Sequence, residues 1–335
     1  MKIFITGAAG YIGGHICVEL LRAGHDVFSF DNYSSGSLEI LERVEQIAGR
    51  QIEAVEGDIR SPASIQSALS HFSPDAVIHL AGLKSVRESV CAPQKYFDTN
   101  VAGTVHLLKA MVSCEIRQLV FSSSASVYSE SNYSPMHEEM ACVPYNPYGE
   151  SKLIGEQMMR QLGRCFPDMS MISLRYFNPV GAHESGLIGE LSNVSPNNLA
   201  PAIVQVAAGL RPTLDIYGND WPTKDGTGER DYIHVVDLAA GHIRALEWGQ
   251  FRNGFEVINL GAGRSYSVLD MIRAFETVTG HEIPRIFRAR RSGDIASYFA
   301  STEKAKELLG WTAERSLGDM ARDAWRWQQF NRARV

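Results

Sequence analysis

The chain has 335 residues, 44% of them apolar, enough to fill a sizeable core, and its 32 Lys and Arg against 38 Asp and Glu give a net charge of −6. That balance excludes a general electrostatic attraction to nucleic acid or anionic lipid. No stretch approaches about 20 uninterrupted apolar residues and no basic segment runs into an apolar one at the start, so neither a membrane span nor export is expected. Five widely spaced cysteines without a CxxC suggest no disulfide framework and no zinc knuckle, and fit a reducing cytoplasm.

In chain order, short β-branched runs alternate with helical patterns. The runs are KIFIT (2–6), DVFSF (26–30), QIEAVE (51–56), AVIHL (76–80), QLVFSS (118–123) and MISLRY (171–176). Between them Tyr11 to Ala23, Pro62 to Phe72, Thr99 to Val112 and Tyr148 to Leu162 carry apolar residues at helical spacing. This alternation predicts parallel strands with crossover helices, an α/β chain with a doubly wound Rossmann-type sheet over residues 1–176. After Arg175 comes FNPVGAHESGLIGELSNVSPNN (177–198), too long for an ordinary connection and therefore expected to be functional. TLDIYG, DYIHVVD and FEVINLG follow, with helices near Val268 to Val278 and Leu317 to Phe330. They predict a smaller α/β domain over 177–335, from which some segments could return to the first. There is no internal repeat.

GAAGYIG (7–13) follows a strand and opens a helix. Glycines at Gly7, Gly10 and Gly13 allow a tight turn and a close approach of backbone to a pyrophosphate, which the helix N-terminus then binds. The second strand ends in Asp31, able to accept both hydroxyls of an adenine ribose. Asn32 follows, with no arginine beside it for a 2′-phosphate, so NAD is expected rather than NADP. Asp58 and the Ala81 to Lys84 segment stand at strand ends, where such sheets bind ligands. Tyr148 and Lys152 are i and i+4 on one helix face, and the preceding strand ends in Ser122, Ser123 and Ser124. A nearby ammonium and a positive nicotinamide would lower the tyrosine pKa and make Tyr148 a general base, with Ser124 passing the proton. Each feature alone has a plainer reading, such as a glycine turn or an exposed Tyr and Lys. Their order along the chain favours a site. No His, Cys, Asp or Glu cluster has metal-ligand spacing, and His79 reads as a core histidine.

GxxGxxG, an acidic residue closing the second strand, Ser124 and YxxxK together resemble the extended short-chain dehydrogenase/reductase superfamily. GAAGYIGGH, VEGDIR, VIHLAGLKSV, FSSSASVYS, YNPYGESK, LRYFNPVGAH, NNLAP, DGTGERDYIHVVDLA and NLGAG resemble the UDP-glucose 4-epimerases over nearly the whole chain. The resemblance implies oxidation at C4 of a UDP-hexose by NAD, turning of the 4-ketose and reduction on its opposite face, with Tyr148, Ser124 and Lys152 catalytic. It implies cofactor contacts from Gly7, Gly10, Tyr11, Ile12, Gly13, Asp31, Asn32, Ser35, Gly36, Asp58, Ile59, Leu80, Ala81, Lys84, Thr99, Ser122, Tyr148, Lys152 and Phe177. Substrate contacts would come from Ser124, Tyr148, Asn178, Asn198, Leu199, Tyr217, Arg230, Arg291, Asp294 and Tyr298. A homodimer through the helices at 99–112 and 148–162 is likewise implied.

Tyr298 matches a position where a large residue closes the pocket to a 2-acetamido group, which favours UDP-glucose and UDP-galactose over their N-acetyl forms. Sister dehydratases and decarboxylases carry acids just after the catalytic hydroxyl, where this chain has Ala125 and Ser126. Thr99, Arg87, Ser129 and Glu150 depart from the usual pattern, Glu150 facing away from the site at i+2. An N-acetylhexosamine epimerase and a redox-sensing regulator on the same fold are the competing readings. Retention of all three catalytic side chains speaks against the second.

Overall fold

The structure is a computed structural model that describes residues 1–191, 198–291 and 293–332. The first part runs β1 (Lys2–Thr6), α1 (Tyr11–Arg22), β2 (Asp26–Asp31), α2 (Leu38–Ala48), β3 (Glu53–Glu56), α3 (Pro62–Phe72) and β4 (Ala76–His79). It continues with α4 (Val86–Cys91), α5 (Pro93–Tyr96), a π-helical turn (Phe97–Ala102), α6 (Gly103–Ser113), β5 (Gln118–Ser124), α7 (Pro147–Cys165) and β6 (Ser170–Tyr176). The second part holds β7 (Asn178–Val180), α8 (Leu199–Ala207), β8 (Leu214–Tyr217), β9 (Glu229–Arg230), β10 (Tyr232–His234), α9 (Val235–Gly249) and β11 (Gly254–Leu260). It ends with β12 (Tyr266–Ser267), α10 (Val268–Thr279), β13 (Arg285–Arg288), β14 (Ser297–Tyr298), α11 (Glu303–Leu309) and α12 (Leu317–Arg332).

Seven parallel strands form the main sheet in the order β11-β6-β5-β4-β1-β2-β3. Because side chains alternate along a strand, Ile3 and Ile5 join one buried cluster with Ile16 and Leu20 of α1, Val44 of α2 and Leu246 of α9. Phe4 faces the other way, into a cluster with Leu69 of α3, Met111 of α6 and Met159 of α7. The sheet is thus covered on both faces, as parallel strands require. A third core, from Ile203, Phe275 and Met320, joins α8, α10 and α12. Among the described residues no helix is long and apolar enough to cross a membrane.

Two expectations are corrected. FEVINLG belongs to the main sheet, not to the smaller unit: β11 pairs with β6 from Gly254 to Leu260, and its run of buried residues needs cover on both faces. DYIHVVD is a strand of three residues that turns into α9, the crossover helix that makes this return possible. Helix α2, amphipathic through Ile40, Leu41 and Val44, was not anticipated.

Helix α7 is fixed against β5 and β6 by a buried ion pair. Glu156 and Arg175, 1% and 2% exposed, meet at 2.7 Å, and Glu156 also accepts from Arg175 Nε (2.9 Å), Ser123 Oγ (2.6 Å) and Ser173 Oγ (3.2 Å). Arg175 lies over the Tyr128 ring at 4.7 Å. Removing one partner leaves a buried uncompensated charge, so Glu156→Ala should lose about 3–5 kcal/mol. The loss would be read as a lower urea midpoint, and a midpoint equal to that of the unaltered chain would deny the pair its structural role.

Candidate active site

Strands β2 and β3 are added on one side of β1 and β4 on the other, which makes a switch point between β1 and β4, and the residues singled out in the first half meet at the C-terminal ends of those strands. Gly7 has φ 78° and donates to the Phe30 carbonyl at 2.9 Å. A methyl there would stand 2.7 Å from Ala81 N, and one on Gly13 2.2 Å from the Gly7 oxygen. The protein's own packing therefore demands both glycines. At Gly10 a methyl would meet only the Gly7 oxygen, at 3.3 Å. The glycine here leaves room in front of the first turn of α1, where Tyr11 and Ile12 start the helix and its first N–H groups lack helical partners.

Asp31, 8% exposed, accepts from Ala9 N and Tyr33 N, both at 2.9 Å. Burial raises its pKa, partly offset by these bonds. A carboxylate has about four acceptor positions, so two remain for ribose hydroxyls. The Ser35–Gly36 loop leans on the same turn, since a methyl on Gly36 would come 2.2 Å from the Ala9 oxygen. Asn32 donates to Asp58 at 2.9 Å, and Ile59 is buried beside it.

Sequence neighbours of Asn32 carry no arginine, yet the fold brings Arg60 close. Its guanidinium is held by Asp58 at 2.7 Å and Asp98 at 3.5 Å, and it keeps the Asp58 carboxyl well below the usual carboxylate range. Leu80 N and Ala81 N both bond the Thr6 carbonyl at 3.0 Å. An open glycine, a helix N-terminus and a partly satisfied carboxylate without a free guanidinium beside it fit an NAD-type dinucleotide.

The chemistry-bearing side chains gather at the end of β5. Asn146 caps α7 by accepting from Gly149 N at 2.8 Å, and Pro147 fills the first helical position. Tyr148 thus sits in the first turn and Lys152 one turn on. Burial raises the Tyr148 pKa, partly offset by the nearby Ser124 hydroxyl, which favours the ionised form. The expected lowering by Lys152 is not found. Its ammonium, 5% exposed, donates to the Ser122 carbonyl at 2.8 Å and lies over Phe121, while burial pushes it down to about 8.

Asn100, missed from sequence, joins the pieces. Its side chain accepts from Leu83 N (2.8 Å) and donates to Leu83 O and Ser151 Oγ (both 3.0 Å), and Ser151 donates to the Tyr148 carbonyl (2.7 Å). Its neighbour Thr99, half-buried, lies with it in the π-helical turn, a distortion frequent at functional sites. His79 is a core histidine between Thr6 (2.7 Å) and Thr104 (2.9 Å). Arg87 is exposed on α4, Glu150 stands in the first turn of α7, and Ser129 N bonds the Ala141 carbonyl.

In the second half, Tyr217, Arg230, Arg291 and Asp294 come together. Arg291 lies over the Tyr217 ring at 4.4 Å and bonds Asp294 at 3.1 Å, and Arg230 stands 3.8 Å from the same carboxylate. Tyr298 donates to the Ala125 carbonyl at 2.5 Å, one residue beyond Ser124, with its ring 5.6 Å from that of Phe177. Asn178 is exposed, its backbone bonded to Asp231 O, while Asn198 and Leu199 open α8. Among the described residues these three share no hydrogen bond or ion pair with the Arg230 cluster. Residues 192–197 of the long passage lie outside the described residues. Its earlier part is ordered as a hairpin, bridged from Ala182 to Gly189.

The model of the GDP-mannose 4,6 dehydratase family matches residues 4–324. A UDP-glucose 4-epimerase of Bacillus subtilis is 50% identical over 331 residues, covering 99% of this chain and 98% of the relative. A UDP-glucose 4-epimerase structure from Stenotrophomonas maltophila, with bound NAD and formylated UDP-arabinopyranose, superposes with TM-score 0.98 at 44% identity, covering all of both chains. One from Bifidobacterium longum in complex with NAD+ and UDP gives 0.94 at 45% identity and 99% coverage of each. The dehydratase model describes the wider group, and the chain belongs within it to the UDP-glucose 4-epimerase family.

Proposed function

We propose that this chain is an NAD-dependent isomerase that interconverts UDP-glucose and UDP-galactose at C4. The observation that carries the reading is Tyr148 in the first turn of α7, one turn from the buried Lys152, whose ammonium is held at the end of β5 by the Ser122 carbonyl at 2.8 Å. Residues 1–176 would carry the dinucleotide and residues 177–335 the UDP-sugar, apart from α9 and β11, which lie in the first unit. Bound NAD supplies the hydride acceptor, later the donor, and a positive ring that offsets the burial of Tyr148.

As phenolate, the form that the positive nicotinamide ring would favour, Tyr148 would take the proton of the 4-hydroxyl, with Ser124 relaying it. Lys152, held by the Ser122 carbonyl, supplies a fixed positive charge and a donor for the nicotinamide ribose. Gly7, Gly10, Tyr11, Ile12 and Gly13 would bind the pyrophosphate and Asp31 the adenine ribose. Asn32, Ser35, Gly36, Asp58, Ile59, Leu80, Ala81, Lys84, Thr99, Ser122 and Phe177 would line the rest. Arg230 and Arg291 suit the diphosphate, since guanidinium forks pair with its oxygens, and Asp294 and Tyr217 suit the nucleoside. Asn178, Asn198 and Leu199 would complete the substrate wall.

Ala125 and Ser126 follow Ser124 in a short 3₁₀ turn and offer no acid to expel a 6-hydroxyl, so an oxidised sugar stays whole until it is reduced. That supports epimerisation over dehydration. A second copy of the chain would pack across α6 and α7, whose outer faces form an apolar groove lined by Val105, Leu108, Val112, Ile154, Met158 and Leu162. Five free cysteines support a cytoplasmic setting.

Tyr148→Phe removes the base and keeps the ring. It should retain bound NAD while turnover of UDP-galactose falls by about 10²–10⁴-fold, and near-normal turnover would remove Tyr148 from the mechanism. The sugar is tested by coupled assay of UDP-galactose and UDP-GalNAc without added cofactor. Turnover of UDP-galactose alone, with Tyr298→Ser raising the UDP-GalNAc rate about tenfold or more, supports a pocket closed by Tyr298. Equal turnover of both sugars by the unaltered chain would make it an N-acetylhexosamine epimerase as well.

A further inference from the structure

Residues 181–190 form a hairpin rather than an open loop. Ala182 and Gly189 bridge antiparallel, and His183 N donates to Ile188 O at 3.1 Å. This hairpin belongs to the second half of the chain, yet it is fastened to both strand-end loops that flank the switch-point crevice. On the β1 side, the Tyr11 hydroxyl donates to Gly181 O at 2.7 Å. On the β4 side, Lys84 pairs with Glu190 at 2.9 Å, its ammonium lying 5.9 Å from the centre of the Tyr11 ring. Desolvation, with a smaller contribution from the Glu190 charge, holds the Tyr11 phenol well above its ordinary pKa.

Two further fastenings fix the back of the hairpin. Trp327 of α12 donates to Glu190 O at 2.8 Å, and its ring packs so tightly on Gly189 that a methyl there would come within 2.5 Å. Arg43 of α2 donates to Leu187 O at 3.1 Å and lies over the rings of Trp327 and Phe330 at 5.3 Å each.

We infer that the hairpin 181–190, closed by Glu190 on Lys84, is a strap that retains the dinucleotide by bridging the crevice between β1 and β4. The inference rests on the proposed NAD-dependent epimerisation, and it supplies something that reaction requires. The hydride removed from the sugar must return to the same sugar, so the reduced cofactor cannot leave between the two halves of the reaction. A loop from the nucleotide unit alone would be free to open. A strap anchored on α12 and α2 ties cofactor release to separation of the two units. Glu190 is a positioning residue in this scheme, holding the end of the hairpin on Lys84. The Lys84 side chain is 63% exposed and Glu190 19%, so the clasp should weaken as salt is raised.

The test is release of NAD from purified holoenzyme, followed by dialysis and assay of the NAD remaining on the protein, independent of turnover. Glu190→Gln, which keeps the shape and removes the charge, should release NAD at least about tenfold faster than the unaltered chain and lose most of its salt dependence. With saturating NAD its kcat should stay within about twofold. Trp327→Phe, which keeps an aromatic ring at this position and removes the indole N–H, should accelerate release by a smaller factor. NAD release within twofold of the unaltered chain in both variants would overturn the strap. A chain that holds NAD as described but epimerises no UDP-sugar would refute the proposed reaction and leave the strap standing.

Discussion

The site depends on the register of one helix against one strand. Tyr148, Lys152 and Glu156 are spaced i, i+4 and i+8 on α7, so they form a single stripe, and Ser124, Ser122 and Ser123 at the end of β5 answer them in turn. Two of these contacts would serve the proposed chemistry and the third would not. Glu156 and Arg175 lie too deep to meet a sugar, but theirs is the strong, directional, fully buried contact, and sliding α7 by one turn would leave both charges unpaired. The proposed catalytic pair, Tyr148 and Lys152, is positioned by a group with no part in the proposed reaction. Tyr128 extends the arrangement, stacking on Arg175 and donating to Asn259 of β11 at 2.7 Å, so the last strand of the sheet is tied to the same point.

That constraint explains why the two units cannot be separated at residue 176. Strand β11 supplies Asn259 and pairs with β6, and α9 covers α1, so the sheet needs chain from beyond the first substrate elements. The chain leaves the sheet after β6, builds β7, the strap and α8, and returns through α9. Substrate elements are therefore held at both ends by the sheet, and the hairpin at 181–190 is placed over the crevice by connections on either side of it.

Much of this was legible in the residues. The first six strands and four of the helices followed from period and punctuation, because β-branched runs ending in Gly, Asp or Ser leave few other readings. FEVINLG was read as a strand but assigned to the wrong unit, since a buried run specifies burial on both faces and not which neighbour provides it. Arg60 escaped notice because adjacency in sequence to Asn32 was the criterion, whereas Asp58 delivers it from the next strand end. Thr99 drew attention as a departure from a pattern, while Asn100 beside it bridges Leu83 and Ser151. The Tyr148 pKa failed for a different reason: the i, i+4 spacing brings the ammonium to the right face, but how far burial opposes ionisation is a property of the packed site.

The wall proposed to select the sugar is not independent of β5. Tyr298 reaches the site from β14, which pairs with β9 beside Arg230, and its hydroxyl bonds the carbonyl of Ala125, the residue after Ser124. One side chain thus touches both the turn after Ser124, the proposed proton relay, and the strand pair that carries Arg230, proposed for the diphosphate. Burial keeps its phenol neutral, so it remains a donor to that carbonyl across the working pH range. Opening the pocket at Tyr298 removes a group that steadies Ser124 as well as one that excludes bulk. On the proposed reading a broader choice of sugar would be coupled to a less well held proton relay, because a smaller side chain in place of Tyr298 loses the hydrogen bond to Ala125.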